Sequence, residues 1–237
     1  MTPRVALVTG ASAGLGRVLA HWLATQGFSV ILDARRAERL KTVSAELRAL
    51  GASVTALPGD VKDLAHRKAL LGAAEALGRL DLLVNNASSL GPTPLPLLES
   101  LDAAELRNVL EVNVVAPVRL VQELLPLLVR SKGMVVNISS DAANRGYPGW
   151  GAYGASKAAL DLVTLTFAHE LSARGVSVLS VDPGDMRTEM HQAAFPGHDI
   201  SDQPPPEATL PFWAWLFGQP SLTVSGRRFY AQAESWE

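Results

Sequence analysis

A tyrosine and a lysine lie four residues apart in the stretch Tyr153-Gly-Ala-Ser-Lys157, at the start of a segment with helical period. Side chains at this spacing share one face of a helix. A lysine ammonium about 4 Å from a phenol contributes about 4 kcal/mol at an effective dielectric constant of about 20. Lowering the pKa of a tyrosine from about 10 to about 7 requires about the same free energy. The pair therefore predicts a phenol that acts as a general acid and base near neutral pH, unless it is an exposed polar pair without a function.

A glycine-rich turn, VALVTGASAGLG over residues 5–16, allows two interpretations. Gly10, Ser12 and Gly14 fit the G-x-S-x-G elbow of serine hydrolases, in which Ser12 would be the nucleophile. The same residues can form a strand, a turn and a helix start that present backbone N–H groups to a phosphate. A hydrolase elbow needs an oxyanion-hole loop from an earlier strand, and only nine residues precede Gly10. The turn therefore favours phosphate binding, with simple packing of a helix on a strand as the alternative.

The elements that must position these residues alternate along the chain. Short apolar runs predict strands over 5–8, 30–32, 54–57, 82–84, 134–138 and 176–181, and a last strand over 223–230. Helical periodicity covers 15–25, 37–50, 65–77, 103–129 and 155–173, and a further helix carries Trp213 and Trp215. This alternation predicts an α/β fold of the doubly wound, Rossmann-like type, in which helices cover both faces of a parallel sheet in three layers.

The composition limits the class of protein. A chain of 237 residues with 48% hydrophobic and 19% charged residues fits a single domain over 1–237. The net charge of −2 predicts neither a nucleic-acid nor a membrane partner. Because the chain has no cysteine, it has no disulfide, thiolate metal site or cysteine nucleophile, and no metal site is predicted. We find neither a signal peptide nor a run long and apolar enough to span a bilayer, so we expect a cytoplasmic protein.

The segment 185–205 is irregular in pattern and predicts a substrate loop or lid. It follows Pro183-Gly184 and ends in Pro204-Pro205-Pro206. Its apolar residues favour a small alcohol or carbonyl substrate with an apolar or aromatic body. The residues that carry this expectation are Tyr147, Trp150, Met186, Met190 and Phe195.

Five motifs in order resemble the short-chain dehydrogenase/reductase family, in its compact single-domain branch. The resemblance runs from about Val5 to the end of the chain and implies an NAD(P)(H)-dependent oxidoreductase that interconverts an alcohol with a ketone or aldehyde. It also implies a homodimer or homotetramer. The motifs are Thr9-Gly10-x-x-x-Gly14-x-Gly16, Asn85-Asn86-Ala87, Asn113, Ser140 with Tyr153-x-x-x-Lys157, and Pro183-Gly184 with Thr188.

The resemblance also implies roles for single residues. Tyr153 would be the general acid/base, Ser140 would hydrogen-bond the substrate carbonyl oxygen, and Lys157 would bind the nicotinamide ribose while perturbing Tyr153. Asn113 would support a water-linked proton relay, and Asp60 would bind the adenine amino group. The implied cofactor-binding residues are Thr9, Gly10, Ser12, Gly14, Leu15, Gly16, Arg35, Asp60, Val61, Asn86, Ala87, Tyr153, Lys157, Pro183, Gly184 and Thr188.

Pro117 and Ser88 lie in the sequence near residues of the predicted site. Pro117 lies four residues after Asn113 and cannot donate a hydrogen bond to the Asn113 carbonyl, which leaves that carbonyl free for a water. A kink that serves packing alone is the alternative. Ser88 stands where the family usually has glycine, and its side chain puts the local loop geometry in doubt.

The end of the second strand bears on the cofactor. An acidic residue such as Asp33 would normally favour NAD(H) through the ribose hydroxyl. By resemblance to the family, the selecting aspartate belongs one place later, where this chain has Ala34, and a shift of one residue turns a side chain to the other face. Arg35 follows and suits a 2′-phosphate. We therefore predict that the protein prefers NADP(H) to NAD(H).

The alternative to an oxidoreductase is a catalytically idle nucleotide-binding sensor or scaffold with the same fold.

Overall fold

The computed structural model describes residues 3–237, and within that range seven parallel strands form one sheet. The strands are β1 (Val5–Val8), β2 (Ser29–Ala34), β3 (Val54–Pro58), β4 (Leu82–Asn85), β5 (Met134–Ile138), β6 (Ser177–Asp182) and β7 (Arg228–Tyr230). Their spatial order is β3-β2-β1-β4-β5-β6-β7, so the direction of winding reverses between β1 and β4. The central strands are buried along their whole length, as expected for a sheet covered on both faces.

Helices cover the two faces of the sheet. They are α1 (Gly14–Thr25), α2 (Ala37–Ala49), α3 (Leu64–Leu77), α4 (Ala103–Leu110), α5 (Ala116–Ser131), α6 (Gly151–Leu171), α7 (Glu189–Ala194) and α8 (Leu210–Gly218). One apolar core lies between the sheet and α1, α2 and α8, and the other between the sheet and α3, α5 and α6. The predicted doubly wound, three-layer, Rossmann-like fold is confirmed. The carboxyl ends of β1, β4, β5 and β6 therefore meet at one edge, where ligands bind in such sheets.

The predicted helix over 103–129 is not continuous. A π-helical turn over Glu111–Val115 separates α4 from α5, and in it the Ala116 N–H bonds to the Glu111 carbonyl. Pro117 follows directly, and a proline has no N–H to continue the regular ladder. The periodicity of the apolar residues passes through this interruption, so the pattern alone could not reveal it.

Residues 103–131 bear on the membrane prediction. By length and composition this helical segment could cross a membrane, with a mean hydropathy of 1.5, so the expectation that no run is long and apolar enough is wrong. Half of its most apolar stretch is buried inside the protein. Leu120, Leu124 and Leu128 pack in the core against the sheet, which is how an amphipathic helix of a globular domain behaves.

Two further predicted regions differ in the structure. The aperiodic segment 185–205 contains the short helix α7, which begins because the Thr188 side chain accepts a hydrogen bond from the His191 N–H. The last strand is shorter than predicted, because Ser221–Thr223 forms a 3-10 turn and Gly226 has a φ of 78°.

Candidate active site

Tyr153 and Lys157 lie one turn apart at the beginning of α6. Both side chains are buried, with 8% of Tyr153 and 2% of Lys157 exposed. The Lys157 Nζ lies 5.3 Å from the centre of the Tyr153 ring and donates a hydrogen bond of 2.7 Å to the backbone carbonyl of Ile138. The two side chains therefore share a face, as predicted, and they are not an exposed surface pair.

The electrostatics of this pair differ from the prediction. Burial raises the pKa of the Tyr153 phenol above its ordinary value, and hydrogen bonds with Ser140 and Ser88 only partly oppose that shift. Burial also lowers the pKa of Lys157 to about 8, against the opposing effect of two aspartates. The predicted phenol with a pKa near neutrality is therefore wrong for the cofactor-free protein. The reason is desolvation, which disfavours the charged forms of both side chains.

Ser140 follows β5 and faces the Tyr153 phenol. Its hydroxyl lies near that phenol, accepts from the Ala142 N–H at 3.2 Å and donates to the Asp141 carboxylate at 3.3 Å. It thereby caps the 3-10 turn Asp141–Ala143, which fixes the orientation of the side chain. The structure thus brings Ser140, Tyr153 and Lys157 together at one edge of the sheet.

Asn113 lies in the π-helical turn and is buried. Its Nδ2 donates to the Ser89 carbonyl and to the Ser156 hydroxyl, both at 2.9 Å, while its Oδ1 accepts from the Ser89 N–H at 2.8 Å. The Ser156 hydroxyl in turn donates to the Tyr153 carbonyl at 2.6 Å. The side chain of Asn113 therefore joins the loop after β4 to the first turn of α6. A relay water at its carbonyl stays a prediction.

The loop after β4 accommodates the Ser88 side chain. Its hydroxyl donates to the Asn113 Oδ1 at 3.2 Å and lies near the Tyr153 phenol. Ser88 thus links two of the predicted catalytic residues. The sequence showed the departure from glycine, but not that the added hydroxyl would have partners on both sides.

The glycine turn after β1 is shaped by its close approach to the loop after β4. A Cβ on Gly10 or Gly16 would lie 2.9 or 2.5 Å from the Asn86 Nδ2, and Gly10 has a φ of 66°. The Asn86 Nδ2 donates to the Thr9 carbonyl at 2.8 Å, and the Thr9 hydroxyl accepts from the N–H groups of Asn86 and Ala87. Thr9 and Asn86 therefore use their side chains to build the turn.

The first turn of α1 has a donor set that suits a pyrophosphate. The residue before the helix, Ala13, offers no side-chain acceptor, so the N–H groups of Gly14, Leu15 and Gly16 have no capping partner. Gly14 has a φ of 51°, and the Leu15 side chain lies in the core, so this turn presents backbone to a ligand. Uncapped N–H groups at a helix N-terminus bind anions. The predicted turn therefore fits the phosphates of a dinucleotide cofactor.

Ser12 has no partner that would make it a nucleophile. Its side chain is partly buried, and within residues 3–237 no hydrogen bond joins its hydroxyl to a histidine. A serine hydrolase needs such a base beside the nucleophile. The histidine pairs in that range are His21 with Glu46 at 2.9 Å, His66 with Asp33 at 2.6 Å, and His191 with Asp185 at 3.6 Å.

The residues at the end of β2 face the directions expected from their register. Ala34 packs in the core with α1 and α2, whereas Asp33 is buried on the opposite face. Asp33 hydrogen-bonds His66 at 2.6 Å and accepts from the Gly10 N–H at 3.4 Å, so it is not free to hold a ribose. Arg35 is exposed and, within residues 3–237, makes neither a hydrogen bond nor an ion pair.

Asp60 and Val61 follow β3. The Asp60 Oδ1 accepts from the Lys62 N–H at 3.0 Å, and its Oδ2 lies 3.8 Å from the Lys62 Nζ. Val61 is buried in the core under α3. Asp60 is thus a turn aspartate in this structure, and its contact with adenine stays a prediction.

Pro183, Gly184 and Thr188 lie at the end of β6 beside the glycine turn. Gly184 has a φ of 76°, and its N–H donates to the Asp182 Oδ1 at 3.0 Å. The Thr188 methyl group lies 3.4 Å from the place that a Cβ on Gly14 would occupy. The start of the predicted lid therefore sits directly over the phosphate-binding turn.

The predicted lid contributes an apolar wall beside Tyr153. The ring of Phe195 lies 5.8 Å from that of Trp150, which lies 5.6 Å from the Tyr153 ring. Two residues expected in this wall are placed elsewhere. Met186 is buried in the core with α1 and α8, and the Tyr147 hydroxyl donates to the Asp141 carboxylate at 2.6 Å.

Arg228 is a contributor that the sequence did not reveal. Its Nη2 donates to the Ser140 carbonyl at 2.8 Å and to Asp182 at 3.0 Å, and its Nε donates to Asp161 at 3.0 Å. These contacts tie β7 to the loop that carries Ser140. In the sequence, only the i, i+4 spacing of Lys157 and Asp161 indicates part of this group of charged residues. Arg228 joins the group because β7 pairs with β6 in the sheet.

The chain was compared with known proteins. A family model described as short chain dehydrogenase matches residues 4–199. This chain belongs to the short-chain dehydrogenase family. It is similar to serine 3-dehydrogenase of Rhizobium radiobacter, with 37% identity over 185 residues that cover 77% of this chain and 72% of the relative. It is also similar to the oxidoreductase YciK of Escherichia coli, with 34% identity over 242 aligned residues, 98% of this chain and 93% of the relative.

Solved structures agree with this assignment. A short-chain dehydrogenase of Shigella flexneri, complexed with NADP, matches with a TM-score of 0.91 and 33% identity, covering 98% of each chain. The resemblance stated from the motifs is therefore confirmed, and the hydrolase interpretation of Ser12 is wrong. As a short-chain dehydrogenase, the protein is an oxidoreductase that acts on alcohol or carbonyl groups.

Proposed function

We propose that this short-chain dehydrogenase uses NADP(H) to interconvert a small alcohol with a ketone or aldehyde, with Tyr153 as the general acid and base. One observation carries the proposal. The Ser140 and Tyr153 side chains lie next to each other beside Lys157, at the sheet edge where the uncapped turn of α1 also opens. A carbonyl oxygen and a dinucleotide can therefore meet at this edge.

A bound nicotinamide would supply or accept the hydride, and the residues of this chain would position the reactants and move the proton. In reduction, Ser140 donates a hydrogen bond to the carbonyl oxygen, and Tyr153 transfers its phenolic proton to that oxygen. The raised pKa of Tyr153 keeps the phenol protonated before the reaction, as reduction requires. Lys157 would hold the nicotinamide ribose, and its ammonium would stabilise the phenolate that remains after the transfer.

The proton returns to Tyr153 from solvent. Lys157 is the group next to Tyr153 on the path of this proton, because its Nζ lies beside the phenol ring. A water at the Asn113 carbonyl then connects Lys157 to solvent, since Pro117 cannot donate to that carbonyl. The buried hydrogen bonds of the Asn113 side chain hold this backbone in place.

The surroundings of Tyr153 support a substrate with an apolar or aromatic body. Leu90, Ala142 and Ala194 form a buried cluster with Tyr153, and the partly buried Trp150 packs against it. Such a wall binds hydrocarbon by excluding water, while Ser140 and Tyr153 hold the oxygen. From the family resemblance we also infer a homodimer or homotetramer. From the net charge and the sequence pattern we infer a cytoplasmic protein without a nucleic-acid or membrane partner.

The rival proposal is a nucleotide-binding sensor or scaffold without turnover. The experiment that separates the two measures NADPH oxidation across a panel of small aldehydes and ketones, together with NADPH binding to the same preparation. Turnover with at least one apolar or aromatic carbonyl compound supports the dehydrogenase. Tight NADPH binding without turnover of any compound supports the scaffold.

For the cofactor, we expect kcat/KM with NADPH to exceed that with NADH by about tenfold or more. Hydrogen bonds to a charged group contribute about 1.5–3 kcal/mol, and Arg35 is free to make them with a 2′-phosphate. Arg35→Ala should therefore reduce the preference. A kcat/KM with NADH at least equal to that with NADPH in the wild-type enzyme would overturn the assignment.

A further inference from the structure

Glu189, the first residue of α7, bridges two arginines that follow β2. Its Oε2 accepts from the Arg36 Nη1 at 3.0 Å, and its Oε1 accepts from the Arg39 Nη1 at 2.5 Å. More than 140 residues of sequence separate the glutamate from the arginines, so this is a tertiary contact between the lid and the N-terminal end of α2. The two guanidinium groups hold the pKa of the Glu189 carboxyl below its usual value.

The arginines occupy the place where NADP(H) differs from NAD(H). The end of β2 is the position that selects the cofactor at the adenosine ribose in folds of this type. Arg35, Arg36 and Arg39 place three cations there, and only Arg35 lacks a counter-ion within residues 3–237. Asp33 is turned away and paired with His66, so Glu189 is the carboxylate that faces these arginines.

The helix that carries Glu189 spans the cofactor cleft. At its start, Thr188 lies over Gly14 of the phosphate-binding turn. At its end, Ala194 and Phe195 pack against the catalytic region through Tyr153 and Trp150. A single short helix therefore connects the contact at Glu189 to the substrate wall.

We propose that Glu189 occupies the arginine site for the cofactor 2′-phosphate, so that arrival of that phosphate displaces Glu189 and releases the first turn of α7. The inference rests on the proposed use of NADP(H). All three side chains are largely exposed, and exposed ion pairs are weak, so the bridge can be exchanged. A phosphate carries more charge and more acceptor oxygens than a carboxylate and is a better partner for arginine.

The first arm of the test measures dissociation constants of NADPH and NADH for the wild type and for Glu189→Gln at fixed ionic strength. The variant should bind NADPH about three- to tenfold more tightly, because the phosphate no longer displaces a competing charge. NADH binding should change by less than about twofold on the same reasoning. Glu207→Gln, the same substitution at an exposed residue beyond the lid, should leave both constants unchanged.

The second arm measures amide hydrogen exchange in residues 189–195. Adenosine 2′,5′-bisphosphate should speed exchange in the wild type, whereas 5′-AMP, which lacks the 2′-phosphate, should not. In Glu189→Gln exchange should already be fast without a nucleotide. An unchanged ratio of NADPH to NADH affinity in the variant, or exchange that does not respond to the bisphosphate, would overturn the inference. If the wild type binds neither NADPH nor the bisphosphate, the proposed use of NADP(H) fails as well.

Discussion

Tyr153→Phe should reduce turnover by about two to four orders of magnitude, the usual contribution of a positioned general acid. The substitution removes one hydroxyl, so the carbonyl oxygen loses its proton donor while Ser140 keeps its own place. The aromatic ring retains its packing against Trp150, and folding should survive. Steady-state reduction of the best carbonyl compound with NADPH measures the loss. Cofactor fluorescence should show NADPH binding close to that of the wild type.

Two comparisons separate a chemical role for Tyr153 from a structural one. Tyr230→Phe removes a phenol hydroxyl from a side chain that is 45% exposed and lies outside the catalytic cluster, and it should be nearly silent. Ser12→Ala should be mild, because the Ser12 hydroxyl has no base beside it. If Tyr153→Phe retained most of its activity in a folded protein, the assignment of Tyr153 as proton donor would be wrong.

Lys157→Met should have the second largest effect. Turnover should fall by about two orders of magnitude, because the phenolate loses the neighbouring ammonium and the proton loses its path. The dissociation constant for NADPH should rise about tenfold, because a charged hydrogen bond to the ribose is lost. Lys68→Met, an identical change at an exposed position of α3, should alter neither quantity. Thermal unfolding of both variants shows whether the fold is intact.

The pH dependence of NADPH binding tests the same side chain. Burial lowers the pKa of Lys157 to about 8, so the ammonium is present below that pH and is lost as the pH rises through it. Wild-type affinity for NADPH should therefore decrease above a pH of about 8, and Lys157→Met should lack this step. A step of equal size in the variant would show that another group titrates.

The local chemistry of the sequence predicted most of the fold and several residues that lie together at the candidate site. Parallel buried strands follow from runs such as residues 5–8, which are apolar on both faces. The glycine turn follows from positions such as Gly16, where any side chain would collide with Asn86. Helical spacing placed Tyr153 and Lys157 on one face. The apolar runs and the helical spacing depend on sequence neighbours, so the sequence pattern shows them. The glycines are visible in the sequence, whereas the contact with Asn86 that requires them is tertiary.

Properties that depend on distant packing could not be predicted. The shifted pKa values of Tyr153 and Lys157 arise from burial, which the spacing of the two residues does not report. Arg228 reaches the Ser140 carbonyl only because β7 pairs with β6. Glu189 meets Arg39 only because the lid folds back over the cleft. Each of these contacts joins segments that are far apart in the chain.

Transfer of deuterium from NADPH labelled at C4 tests the central claim most directly, that this chain moves a hydride between NADP(H) and a carbonyl carbon. The carbonyl compound reduced fastest in the panel would be incubated with each of the two C4-labelled forms, and the product examined by mass spectrometry. We predict one deuterium on the carbinol carbon from one of the two forms, and a much slower transfer by Tyr153→Phe. Product without deuterium from either form, or equally fast transfer by Tyr153→Phe, would contradict the account.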